Sequence, residues 1–225
     1  MRASTSFEQV DWQPGTPPLI KTWADKVDLS AMIEDIRKAR AQADVVIVSL
    51  HWGVHLVPAV IAMYQYEVGH AAVDAGADLI LGHHAHILKG IEVYKGKVIF
   101  FSMGNWCFDS HHSAARPTKR RSQYHTKILY KVKDDPDYPT YSFPPDSRKT
   151  IMVKVLISNK AIEQISFQPA MINKQGQPEL LSHDDKRSDE VYDYMAWVCK
   201  DQGLNTTFYR KGDEIVVAAS AEAAI

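Results

Sequence analysis

The segment Asp74-Ala-Gly-Ala-Asp-Leu-Ile-Leu-Gly-His-His-Ala-His86 decides how this chain folds. Ala77 to Leu81 is a short apolar run with the length of a strand buried in an α/β sheet, and it exits directly into Gly82 and three imidazoles. Gly76, just before it, suits a helix C-cap, because glycine enters the left-handed region without a Cβ penalty. Upstream, Pro58 can open that helix, which keeps Val60, Ile61, Tyr64, Val68, Ala71 and Ala72 on one broad face as far as Ala75.

Strands ending in polar groups recur on either side. Val45-Val-Ile-Val-Ser-Leu50 is a β-branched run of the kind buried on both faces of a sheet, and it ends in His51-Trp-Gly. Before it, Ser30 is expected to cap an amphipathic helix reaching about Ala41. Glu92 to Tyr94, a Lys95-Gly96 turn and Lys97 to Ser102 predict two tightly joined strands, the second leading to Gly104-Asn105. Residues 109 to 148 hold His111-His112, Arg116, Lys119-Arg-Arg121 and little apolar period, and read as a surface insertion or lid. Thr150–Ile157, an Asn159-Lys160 turn and Ile162–Phe167 predict a β-hairpin, followed by a helix from Ser188 to Gln202 and a last strand within Tyr209–Ala218. The chain thus divides into an irregular N-terminal segment (1–28), an α/β core (29–109), an insertion (110–149) and a C-terminal part completing the domain (150–225).

Composition narrows the function classes. With 225 residues, 45% of them hydrophobic, the chain can bury the core of one domain. Lys and Arg number 26 against 27 Asp and Glu, so no basic field draws nucleic acid or anionic lipid, and nucleic acid is not an expected partner. Cys107 and Cys199 stand far apart without a CxxC spacing, leaving any metal to nitrogen and oxygen ligands. No window approaches the ~20 apolar residues of a membrane span, which reads as cytoplasmic if Met1 is the true start. An upstream segment, if the chain is a piece of a longer protein, would allow export or a membrane anchor.

Functional groups in α/β sheets gather where strand carboxyl ends meet loops. His51, His83, His84, His86 and Asn105 all fall at such exits. A lone His51 would read as a hydrogen-bonded strand-end residue, but three histidines within residues 83–86 beside Gly82 point to a metal or phosphate role. Neutral imidazole suits Zn, Mn or Fe, so a divalent metal of one of these kinds is the expected cofactor. Asn105 could orient a histidine ligand or contact substrate, or close an Asx-type turn. Asp74 and Asp78 read more simply as helix-end and turn residues.

These motifs in order, Asp44-Val-Val-Ile-Val-Ser-Leu-His-Trp-Gly53, Asp74 to His86 and Phe101-Ser-Met-Gly-Asn105, resemble the successive signatures of CapA-type capsule synthesis proteins over roughly residues 29–109. That family is similar to the calcineurin-like metallophosphatases. The resemblance therefore implies a two-sheet α/β sandwich flanked by helices, with a two-metal site at strand ends. It makes His51 a metal ligand, and it matches His84 and His86 to the family's ligand pair, with His83 as the alternative to His84. Where the family often carries Glu shortly after His-Trp-Gly, this chain has His55, which could be a ligand, a proton donor or a substrate contact. The family's earlier motifs, a Gly-Asp strand end, an Asn-x-Glu element and an Asn-Asn-His segment, do not occur upstream of His51. The N-terminal half of the family domain, with its bridging carboxylate, is accordingly expected to lie outside this sequence, or else to be missing from a degenerate, non-catalytic relative.

Two readings follow. One is a divalent-metal-dependent hydrolase of phosphoester or related bonds acting on an anionic small molecule or polymer, in which His55 and Asn105 assist catalysis and His51, His83, His84 and His86 serve the metal. The other is a non-catalytic capsule-polymer assembly or binding protein with an incomplete metal site. Neither reading fixes an oligomeric state.

Overall fold

Strand order explains why the histidines meet. β3 (Ile47–His51), β4 (Leu79–His83), β5 (Ile91–Tyr94) and β6 (Lys97–Phe100) form a four-stranded sheet ordered β3-β4-β6-β5. β3, β4 and β6 run parallel, and β5 returns antiparallel to β6. All three parallel strands therefore deliver their carboxyl ends to one edge, and His51 lies level with His83 across the β3–β4 pair. The computed structural model describes residues 3–5, 20–107, 135–139, 141 and 143–219. His111, His112, Arg116 and Lys119–Arg121 of the expected insertion lie outside these residues.

Two helices cover one face of this sheet. α1 (Lys26–Arg40) and α2 (Met63–Asp74) bury Ile36, Val68, Ala72 and Val73 against Ile80 and Ile99. The other face packs on a second, antiparallel sheet built from β7 (Lys149–Ser158), β8 (Ala161–Ile172), β9 (Pro178–Leu180), β10 (Thr206–Lys211) and β11 (Glu214–Ala219). Leu79 and Phe100 from the first sheet meet Ile151, Ile165 and Phe167 from the second, and α3 (Lys186–Asp201) adds Val191, Met195 and Val198 to the same core. The result is a mixed α/β sandwich of two sheets with flanking helices, as expected. A short ribbon pairs β1 (Ala3–Thr5) with β2 (Thr22–Ala24). Among the described residues no helix is long and apolar enough to cross a membrane.

Four local expectations need correction. The single last strand expected within Tyr209–Ala218 is the antiparallel pair β10 and β11, because the chain turns at Gly212 (φ 62°). Helix α1 starts at Lys26 rather than after Ser30, because Asp25 is the N-cap: its carboxylate accepts from the amides of Val27 (2.9 Å) and Asp28 (3.2 Å). Helix α2 starts at Met63 and not at Pro58. Residues 52–61 form a loop in which Leu56 and Ala59 take φ of 57°, outside helical geometry. β3 is not buried on both faces: its burial alternates and Ile47 remains 44% exposed. Among the described residues β3 pairs only with β4, and a β-branched run records a preference for pleated structure rather than the number of neighbours.

Asp78 fills the structural role expected of it. Its carboxylate accepts from the Val46 amide (2.9 Å), from Lys97 Nζ (2.7 Å) and from the Arg40 guanidinium, joining α1, β3 and β6 at the strand entrance. Burial alone would raise its pKa, but these three donors outweigh it and hold the carboxyl below its ordinary 3.8. The unfolded chain thus binds the proton more readily than the folded one. The stabilisation is complete above the unfolded value near 4 and fades as pH falls toward the lowered folded value. Asp78→Asn is expected to cost about 2 kcal/mol at pH 7, read from urea midpoints, and to flatten the acid limb of the stability curve. An unchanged midpoint would show that the three donors find equal partners elsewhere.

Candidate functional site

The strand exits are forced open by close packing behind them. A Cβ on Gly82 would stand 2.3 Å from the Phe101 carbonyl oxygen and 2.5 Å from that of Phe100, so only glycine lets β4 approach the end of β6 this closely. Immediately after β4 the chain turns sharply, with His84 at φ 90° and His86 at φ 55°. Positive φ is unusual for a side chain of this size and costs on the order of 1–3 kcal/mol per residue, a form of strain that clusters at functional sites.

The turn gathers imidazoles. His84 Nδ1 lies 2.9 Å from His51 Nε2, with ring centroids 4.7 Å apart. His55 sits between the rings of His84 (5.5 Å) and His86 (5.0 Å). His84, not His83, faces His51 in this way, although His83 is the strand neighbour of His51. Burial lowers the pKa of His55 to about 4, with the neighbouring His86 and His84 adding to the effect. Burial followed by the neighbouring His51 lowers His83, and burial with His51 and His86 lowers His84. His55, His83 and His84 are therefore neutral at pH 7, the state in which imidazole offers a lone pair.

His55 is carried by the loop that displaced the start of α2. Lys89, only 2% exposed, reaches under this loop and donates its ammonium to the carbonyls of Val57 and Val60 (2.7 Å for the latter), and burial lowers its pKa to about 8. Leu56 N–H donates to the Ala85 carbonyl (2.9 Å), and the Gly53 amide donates to the Tyr64 hydroxyl (2.6 Å). Trp52, buried as a core residue, donates from Nε1 to the Phe101 carbonyl.

Asn105 enters from the next strand exit. Gly104, at φ 78°, precedes it: a Cβ there would stand 3.1 Å from the Lys149 carbonyl oxygen and 3.3 Å from Thr150 Oγ1, which donates to the Met103 carbonyl. Asn105 is buried, and its Oδ1 lies 2.6 Å from His86 Nδ1. Tyr141 and Phe143 complete this wall, the first bonding Asn105 and the second stacked on His86 at 4.9 Å. Neither was singled out from the sequence. Their one signal is the aromatic pair followed by Pro144-Pro145 just before β7, which marks an extended segment anchored to the sheet.

The donors suit a divalent ion in kind. The facing nitrogens of His51 and His84 stand 2.9 Å apart, slightly closer than the about 3.3 Å separating two nitrogens on a tetrahedral zinc ion. They fall short in number: among the described residues no group of three or more His, Cys, Asp or Glu side chains is placed to hold a metal. The described residues alone thus do not build a two-metal centre, which needs shared anionic ligands between ions about 3.5–4 Å apart.

Residues 2–110 match the family model described as bacterial capsule synthesis protein PGA_cap. The PGA biosynthesis protein CapA of Bacillus subtilis is 42% identical over 107 residues, which are 44% of this chain and 26% of that protein. The capsule biosynthesis protein CapA of Bacillus anthracis is 42% identical over 82 residues, 35% of this chain and 20% of the other. A probable polyglutamine synthesis accessory protein of Mycobacterium tuberculosis is 33% identical over 93 residues, 41% of this chain and 23% of its own length. The matched segments span about a quarter or less of these relatives, and the family-model match over residues 2–110 contains every histidine of the cluster and Asn105. Through that segment the chain is similar to the PGA_cap family of bacterial capsule synthesis proteins.

Proposed function

We propose that the chain works in capsule or poly-γ-glutamate synthesis, on an anionic small molecule or polymer, and that the cluster of His51, His55, His84 and His86 is its working site. The reaction is hydrolysis of a phosphoester or related bond, dependent on a divalent metal whose remaining ligands come from outside the described residues. The observation that carries this reading is the facing pair His51 Nε2 and His84 Nδ1 at the carboxyl ends of two parallel strands, on a turn strained at two histidines. His51 and His84 would hold the ion, His86 would present the nitrogen that Asn105 does not engage, and His55 would lie over the substrate. A divalent ion held there would supply Lewis-acid activation of water.

The test is hydrolysis of a chromogenic phosphodiester by the full chain with added Mn²⁺ or Zn²⁺. Turnover that disappears on chelation and returns with metal is expected; full turnover by the metal-free protein would contradict the proposal. One observation favours a second reading: among the described residues no group of three or more His, Cys, Asp or Glu side chains is placed to hold a metal. A polymer-holding role would then appear as retention of poly-γ-glutamate in co-sedimentation, with no cleavage under any metal.

A further inference from the structure

Three hydrogen bonds run in line from His86 into the protein. His86 Nδ1 lies 2.6 Å from Asn105 Oδ1, Asn105 Nδ2 lies 2.7 Å from the Tyr141 hydroxyl, and that hydroxyl lies 2.6 Å from the Ser147 carbonyl oxygen. Asn105 and Tyr141 are 4% and 2% exposed, so solvent does not substitute for any of these partners. The far end of the line fixes its polarity. A carbonyl oxygen only accepts, so Tyr141 gives its single proton to Ser147 and turns its oxygen toward Asn105 as an acceptor. The group that meets it must be the Asn105 NH₂, which leaves Oδ1 facing His86. His86 can then bond Asn105 only by donating from Nδ1–H, and a neutral imidazole protonated at Nδ1 carries its lone pair on Nε2.

We propose that Tyr141 is a positioning residue that sets the tautomer of His86 through Asn105, with the Ser147 carbonyl as the anchor. The opposite polarity would bring the Ser147 carbonyl and the phenol oxygen together at 2.6 Å as two acceptors without a proton, a costly arrangement for buried groups. Burial raises the Tyr141 hydroxyl to about 12, so the anchoring proton stays in place at neutral pH. Phe143, stacked on the His86 ring at an interplanar angle of 23°, opposes rotation that would take Nδ1 away from Asn105. Histidines that serve a site through one nitrogen are commonly held by a bond from the other, and here the control lies two residues further back. The value of this tautomer to catalysis rests on the function proposed above; the tautomer itself does not.

The experiment is long-range ¹H–¹⁵N correlation NMR of the histidine side chains in the metal-free full chain near pH 7, with His86 assigned by its absence in His86→Gln. Wild type is expected to show His86 protonated at Nδ1. Tyr141→Phe keeps the ring but removes the hydroxyl, and is expected to give a mixture of the two tautomers at His86 with unchanged far-ultraviolet circular dichroism. A wild-type His86 protonated at Nε2 overturns the proposal without any variant being needed, as does a Tyr141→Phe spectrum identical to wild type. A chain that shows the Nδ1–H tautomer yet hydrolyses nothing would uphold this relay and refute the hydrolytic reading.

Discussion

Gly82→Ala is expected to be the most damaging single substitution in the chain, costing about 3 kcal/mol or more and leaving much of the protein unfolded at 37 °C. The added methyl would meet two backbone oxygens, those of Phe101 and Phe100, at 2.3 Å and 2.5 Å. Backbone cannot step aside as a flexible side-chain tip can, so β4 would have to separate from the end of β6. Gly82 itself is buried, its carbonyl accepts from the Met103 amide, and it pairs with Leu50 across β3. Strain of this kind in a packed interior typically costs 1–3 kcal/mol, and more where no rotamer relieves it. Urea unfolding and the yield of soluble protein measure the effect. By contrast Gly96 and Gly212, at hairpin turns, have open space where a Cβ would stand. Alanine there meets only the penalty of positive φ.

His84→Gly should separate function from stability. His84 holds φ 90°, where a side chain is strained and glycine is not, so the substitution relieves about 1 kcal/mol or more. Glycine's greater freedom in the unfolded chain takes back a similar amount. The unfolding midpoint is therefore expected to stay close to wild type. Activity has no such compensation: the ring that faces His51 at 2.9 Å and contacts His55 and His86 is lost. Turnover should fall by at least about a hundredfold, the scale on which even a small misplacement of a reacting group is felt. A strongly lowered midpoint would instead assign His84 a structural part.

Much of this was legible in the sequence, and the exceptions have physical causes. The exits at His51, His83 and Asn105 were readable because short β-branched runs bounded by glycine have few other uses in a chain of this composition. The hairpin of β7 and β8 was readable from two β-branched runs joined by Asn159-Lys160, both at positive φ. The start of α2 was not, because Lys89 fixes the preceding loop from 29 or more residues away through backbone carbonyls that carry no sequence signature. Nor was Tyr141, whose partner Asn105 lies 36 residues earlier. Which of His83 and His84 has a ring nitrogen facing His51 was equally beyond the sequence. Strand alternation would point successive residues to opposite faces, and the positive φ of His84 overrides it.

Calorimetric titration of the full chain with Zn²⁺ at pH 7 tests most directly whether the imidazole cluster is a metal-dependent working site. The prediction is one ion per chain, with affinity lost in His51→Ala and His84→Ala and kept in His183→Ala, whose imidazole pairs with Asp213 on the surface away from the cluster. Absence of binding in wild type, or equal binding in all three variants, would contradict it.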